Sequence, residues 1–311
     1  HLRPRRQRQM CIRDSNNDGK SEDKAFKNLG KVNSITFKPG DKLMFKSGET
    51  WKGYFKLRGS GSQDKPIVIE SYSSGDKPKI DGNGYQAAVF IENQEYVNIS
   101  GLDLTNEASH KNSNGSVKLM NQSSRSGEDE RFGLLVLRHG SSNINDIKLD
   151  DIKISEIYPT PSNSDNNHQG YGIRFESLND DSVLNYYDGI QIENLDISNT
   201  GHYGIHVVNR MSGAQPDYYH RNIVIKDSKF NNTGGSGIVL ARCKDVLVEN
   251  SEFKGSGSGN DNRMWNRGSS LWTYTCNDTV IQNNLFEDVY GPADSYGCLL
   301  YTSDAADEVL G

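Results

Sequence analysis

The sequence predicts an all-β protein, a right-handed parallel β-helix (a solenoid of short stacked strands) truncated at its C-terminal end. Three observations carry this. Similar segments begin at Gly172, Gly204, Gly237 and Ser270, spaced by 32, 33 and 33 residues. Each holds strands in which apolar residues alternate with polar ones. A column of Asn and Asp recurs at one position of the repeat.

The repeat comes first, because a fixed period is the signature of a solenoid. The copies run Gly172–Phe175 with Asp188–Ile197, Gly204–Val207 with Asn222–Phe230, Gly237–Leu240 with Asp245–Phe253, and Ser270–Thr273 with Asp278–Phe286. Less regular copies precede them at Gly133–Val136 with Asp146–Ile154, and at Val97–Leu104. Alternation then sets the faces. Residues two apart in a strand share a face, so Ile190, Ile192, Val246 and Val248 are expected to point inward. No copy buries its apolar face alone, whereas stacking at about 4.8 Å makes one continuous core. The column Asp151, Asn194, Asp227, Asn250 and Asn283 fits a sharp bend between strands, because Asn and Asp tolerate left-handed backbone angles. A β-sandwich would need hairpin turns, and the expected Asn-Gly or Asp-Gly pairs are sparse in the repeat region.

Composition narrows the function classes. The 311 residues hold 31 Gly against 8 Pro, and 33% are hydrophobic, in regular bursts that mark a folded chain. No run approaches 18 apolar residues, so no membrane-spanning helix is expected. A net charge of -6 argues against a nucleic-acid partner, which needs a basic face. The expected partner is a polysaccharide, and the expected state is a monomer.

The two ends differ from the rest. Residues 1–14 pack five Arg without a strand or helix pattern, and residues 298–311 break off a strand-like register. Both resemble translated sequencing-adapter read-through, so one domain is expected over residues 15–297, with non-native extensions on either side. The Arg-rich start is accordingly not read as a targeting signal. Cys11 and Cys298 fall in these ends. Cys243 and Cys276 lie 33 residues apart, one repeat, beside short apolar strands. Stacking as neighbours is open to them, and two buried thiols is the preferred reading. No cysteine–histidine spacing indicates zinc.

The front of the chain adds Asp18, Gly19, Lys20, Ser21, Ala25 and Phe26, then Pro39, Gly40 and Asp41 leading into the strand Lys42–Phe45. This order resembles the amino-terminal part of secreted, pectate-lyase-like right-handed β-helix polysaccharide lyases and glycoside hydrolases. There a short helix and a Pro-Gly-Asp turn precede the first coils. The resemblance covers almost all of residues 15–297 and is specific for fold, less so for substrate. It implies a secreted, periplasmic or cell-surface protein, with any signal peptide upstream of residue 15.

Outward residues of stacked strands should form columns lining a cleft. The candidates are Arg174, His206, Val239 and Trp272, with Glu176, Val208, Ala241 and Tyr274 two residues on. Aromatic rings stack on sugars, and charged groups fix hydroxyls or carboxylates. His202 adjoins this face, and the glycine-rich loop 254–270 carries Asp261, Arg263, Trp265 and Arg267. A lyase needs a cation against the substrate carboxylate and a base. Arg174, His206 and His202, with Arg263, Arg138 and His139, supply that set. A hydrolase needs two facing carboxylates about 5–10 Å apart, for which Glu176, Asp261 and Asp294 are the candidates. The local positive cluster on an acidic chain favours an anionic substrate and β-elimination. Hydrolysis comes second, and a non-catalytic carbohydrate-binding or adhesion solenoid third. The lyase reading requires Arg174 and His206 exposed on one face; the binding reading requires Trp272 and Tyr274 exposed. No metal ligand set is identified. Calcium is the one candidate ion: residues 14–19 begin like a calcium loop but place Ala25 at its twelfth position, and 163–168 is another Asp- and Asn-rich turn.

Overall fold

A computed structural model describes residues 7–10, 18–107, 130–140, 143–159, 168–178, 185–210, 218–290 and 300–303. Its strands order into three parallel sheets, of nine, eight and eight strands. One coil shows the path: Ile144–Asp150 lies in the first sheet, Lys153–Tyr158 in the second and Gly170–Leu178 in the third. The chain then starts again one level along at Tyr187–Glu193. Every pairing between the described strands is parallel, with residues one level apart aligned as in Ile190↔Ile223 and Ile223↔Val246; Lys153–Tyr158 against Asp103–Glu107 shifts register between Ser155 and Ile157. This is the predicted β-helix.

Its interior is apolar along its length. Ile190, Ile192, Val246 and Val248 all join the buried core, as the alternation requires. In the second sheet Ile154, Ile197, Phe230 and Phe253 occupy one column. Phe230 and Phe253 stack at 4.8 Å, and Phe253 and Phe286 at 4.9 Å. The repeated residue after the bend is therefore the spine of that wall.

The bends are made as expected. Asp151, Asn194, Asp227, Asn250 and Asn283 all have φ between +51° and +55° or thereabouts in the left-handed region, at the first-to-second-sheet corner. Side chains knit neighbouring levels, Asn194 Nδ2 donating to Asp150 Oδ1 at 2.8 Å. A second left-handed column runs through Glu156, Asn199 and Asn232, and a third through Asp146, Asn222, Asp245 and Asp278. At the front, the turn holds Gly40 at φ +85°, with Asp41 Oδ2 accepting from the Lys38 amide at 2.9 Å. The short helix Leu29–Asn33 precedes it, capped by the Asn28 side chain. Two edge strands lie within the atypical ends: Gln7–Met10 pairs with Lys42–Phe45, and Leu300–Ser303 with Leu271–Tyr274. The first of these has no strand pattern in sequence. An open sheet edge offers unpaired backbone groups to any extended segment, so such pairing needs no pattern.

The start of each third-sheet strand explains the repeated glycine. At Gly204 a Cβ would sit 2.5 Å from the Gly237 carbonyl oxygen and 2.9 Å from Phe230 Cδ1. The next level and the Phe column leave no room for a side chain there.

A buried histidine opens the first-sheet strand His220–Lys226. Tyr187 N donates to His220 Nδ1 at 3.0 Å, and the Tyr187 hydroxyl is directed at the Val136 and Glu176 carbonyl oxygens. Burial pulls the His220 pKa down to about 4, so the folded protein holds it neutral. The unfolded chain titrates near 6.5, so its contribution is complete above that pH and is lost as pH falls from about 6.5 to 4. The full contribution is about 3 kcal/mol. His220→Gln is expected to flatten this acid loss, which thermal melts between pH 7 and pH 4 measure.

Candidate functional site

The register aligns the predicted columns. Arg174 pairs with His206, His206 with Val239, and Val239 with Trp272, while Glu176 pairs with Val208, Val208 with Ala241, and Ala241 with Tyr274. They project from the outer face of the third sheet, opposite the core residues Ile173 and Phe175.

That face is not an open sheet. Phe90, Phe132, Leu135, Leu137, Tyr171, Tyr203 and Val239 form a second buried apolar cluster on it, with Trp265 and Trp272 packed alongside. Arg174 is 0% exposed and Glu176 2%, which corrects the expectation that Arg174 stands exposed in a groove. Part of the covering layer comes from the glycine-rich loop. Trp265 N donates to Gly201 O, Arg267 N to Gly234 O, and Gly257 N to Gly235 O. These bonds lay the loop along the entrance to the third sheet.

Charge at the centre is compensated. Arg174 Nε lies 3.0 Å from Glu176 Oε2, and Nη1 lies 3.6 Å from Glu130 Oε1. Its guanidinium packs 4.8 Å above the Tyr171 ring and 5.8 Å from Phe132. Burial alone would favour losing the proton, but the neighbouring Glu176, Tyr171 and Glu130 reverse this and hold Arg174 firmly charged. The guanidinium is thus buried and engaged by two carboxylates.

Around this group lie aromatic rings. His202 stacks on Tyr171 at 5.0 Å and meets Trp265 at 4.3 Å. His168 stacks on Trp265 at 5.0 Å. His206 lies 5.1 Å edge-on to Tyr203. His202 is buried, whereas His206, Trp265 and Trp272 are half-buried, at the margin of the cluster. Burial lowers the His168 pKa to about 4, so it is neutral over the ordinary range.

The remaining candidates separate. Asp261 accepts from Arg263 Nε at 2.9 Å and Nη2 at 2.7 Å, and Arg263 Nη1 donates to Glu107 at 2.7 Å. Hydrogen bonds from Arg263 hold the Asp261 carboxyl below its usual range, and Arg263 lies 3.9 Å over the Tyr158 ring. These two residues brace the loop. Arg138 is buried against Asn93, and His139 lies against Glu92 and Asn93 at the far end of the strand. Tyr274 is 50% exposed and Trp272 half-buried, their rings 6.5 Å apart. Asp294 lies outside the described residues, as do residues 14–17 and 163–167 of the calcium candidates. Among the described residues no group of three or more His, Cys, Asp or Glu side chains is placed to hold a metal ion.

Sequence reasoning missed Glu130, His168 and Tyr171. Tyr171 had a signal: Phe132, Tyr171 and Tyr203 each precede the repeat glycine. Glu130 and His168 stand just before strands, where no period constrains them.

Among solved structures, the chain is similar to the GH136 lacto-N-biosidase of Eubacterium ramulus, with 21% identity and a TM-score of 0.73. That match covers 95% of this chain and 55% of the other, so the chain spans about half the length of that relative. It is also similar to an alginate lyase from Paenibacillus sp. str. FPU-7, with 22% identity, a TM-score of 0.53, and coverage of 82% of this chain and 72% of the other. These likenesses show the fold. No curated protein sequence matches the chain. Residues 133–308 match the family described as "Right handed beta helix region", more than half of the sequence, and the chain belongs to that family.

Proposed function

We propose that the protein is a carbohydrate-active β-helix enzyme that hydrolyses glycosidic bonds at the outer face of the third sheet, with Glu176 and Glu130 as its paired carboxylates. The observation that supports this is the sharing of one guanidinium by both groups. An acid and a base or nucleophile must be gathered at one place to act on a glycosidic bond, and Arg174 gathers these two. Glu176, closer to Arg174, is the better held as an anion and takes the nucleophile or base role. Glu130, held more loosely, is the acid. Sugar rings approach over His206, Trp265 and Trp272, whose partly exposed faces offer stacking surface. The similar solved structures include proteins whose names describe a glycoside hydrolase and a polysaccharide lyase, which agrees with a saccharide substrate.

The test is incubation with neutral and uronate-containing oligosaccharides, following reducing ends together with the ultraviolet absorbance of unsaturated uronates. Reducing ends without absorbance are expected. Glu176→Gln and Glu130→Gln should each lower kcat by about 10²–10⁴-fold, in protein whose circular dichroism remains that of the parent. Absorbance rising in step with reducing ends, undiminished in Glu176→Gln, would replace this reading with β-elimination and make His206 the base to mutate.

A further inference from the structure

We propose that Cys243 and Cys276 form an oxidisable pair that closes into a disulfide stapling two successive coils. Cys243 opens the first-sheet strand Cys243–Glu249, and Cys276 stands at the same corner one level along, immediately before Asn277–Gln282. Lys244 pairs in register with Asn277, so the two cysteines are stacked neighbours. Parallel strands about 4.8 Å apart place their Cα atoms within the roughly 4.4–6.8 Å that disulfides span. Both thiols are free. The preceding residues, Arg242 at φ +59° and Thr275 at φ +52°, turn the chain sharply here, so the pair sits on a corner of the coil.

The two thiols are chemically unequal. Cys243 is fully buried, and burial raises its pKa well above the ordinary thiol value. Cys276 is partly exposed, and the hydrogen bond from Cys243 lowers its pKa. The accessible, more acidic thiol is therefore the one that reacts first. With a low-molecular-weight disulfide such as glutathione disulfide as oxidant, the Cys276 thiolate attacks one sulfur and expels a glutathione thiolate, leaving a mixed disulfide. Cys243 gives up its proton and attacks Cys276 Sγ, expelling the second glutathione. Two protein thiols are oxidised and one glutathione disulfide is reduced to two glutathiones. The bond closes a loop of one full coil, Cys243 to Cys276, and clamps the level that carries Trp272 and Tyr274 to the one before it.

The experiment equilibrates the full chain in glutathione buffers of graded ratio, blocks remaining thiols by alkylation, and maps peptides by mass. A peptide joining Cys243 to Cys276 is expected, two hydrogens lighter than its parts, with Tm rising by about 5 °C or more through loop closure. Cys243→Ala and Cys276→Ala should each abolish both the joined peptide and the oxidant-dependent rise. Mapping also separates this bond from any formed by Cys11 or Cys298. Complete alkylation of both cysteines in fully oxidising buffer, or a joined peptide with no change in Tm, would overturn the proposal; neither result depends on the variants folding.

Discussion

Arg174→Met is expected to destabilise the protein by about 3–5 kcal/mol at neutral pH. Met fills much of the same volume and keeps the packing on Tyr171 and Phe132, so the loss comes chiefly from charge. Glu176 and Glu130 are both buried, and each has its ion pair with this guanidinium. Removing the cation leaves two buried carboxylates in low dielectric without its compensating charge. The penalty should shrink as pH falls and the carboxylates protonate. Adding Glu176→Gln to Arg174→Met should recover part of it by removing one stranded charge. Urea melts of the three proteins at pH 7 and pH 5 measure this. Equal midpoints for the parent and Arg174→Met at pH 7 would show that the guanidinium does not compensate these groups.

Gly204→Ala is expected to cost about 3 kcal/mol, a large effect for one methyl group. The added carbon would stand 2.5 Å from a backbone oxygen of the next level, which cannot move without disturbing the ladder above it. Gly30→Ala is the control. Gly30 lies in the helix Leu29–Asn33, and a Cβ added there would meet the Asn28 side-chain oxygen at 3.5 Å, an ordinary contact. That substitution should be neutral or stabilising by up to about 1 kcal/mol, because alanine is the better helix former. Thermal melts of both variants decide it, and a Gly204→Ala protein melting with the parent would mean that the coil spacing relaxes locally.

Much of the fold was legible because a solenoid writes its tertiary contacts as a local period. Ile190, Ile192, Val246 and Val248 were placed inside by alternation, since strand geometry alone sets facing. Asn194, Asp227, Asn250 and Asn283 were placed at a bend because few other residues adopt left-handed angles at low cost. The outward columns followed from the same register. The site was less legible. Glu176, Asp261 and Asp294 were the hydrolytic candidates; Glu176 and Asp261 are each held by a different arginine, and Asp294 lies outside the described residues. The partner that Glu176 shares Arg174 with is Glu130, which follows a stretch with no repeat and so has no column to be read from.

By itself, then, the sequence determined the coil, its period, the residues that turn it, and which side chains leave the outer face of the third sheet. Only the tertiary structure decided what that face meets. Alternation distinguishes inward from outward but not outward from exposed, because exposure depends on whether another segment packs on top. The loop carrying Trp265 does so from more than fifty residues beyond Arg174 in the chain. That second layer turned an expected open row of cations into a buried arginine beside two carboxylates, bordered by aromatic rings.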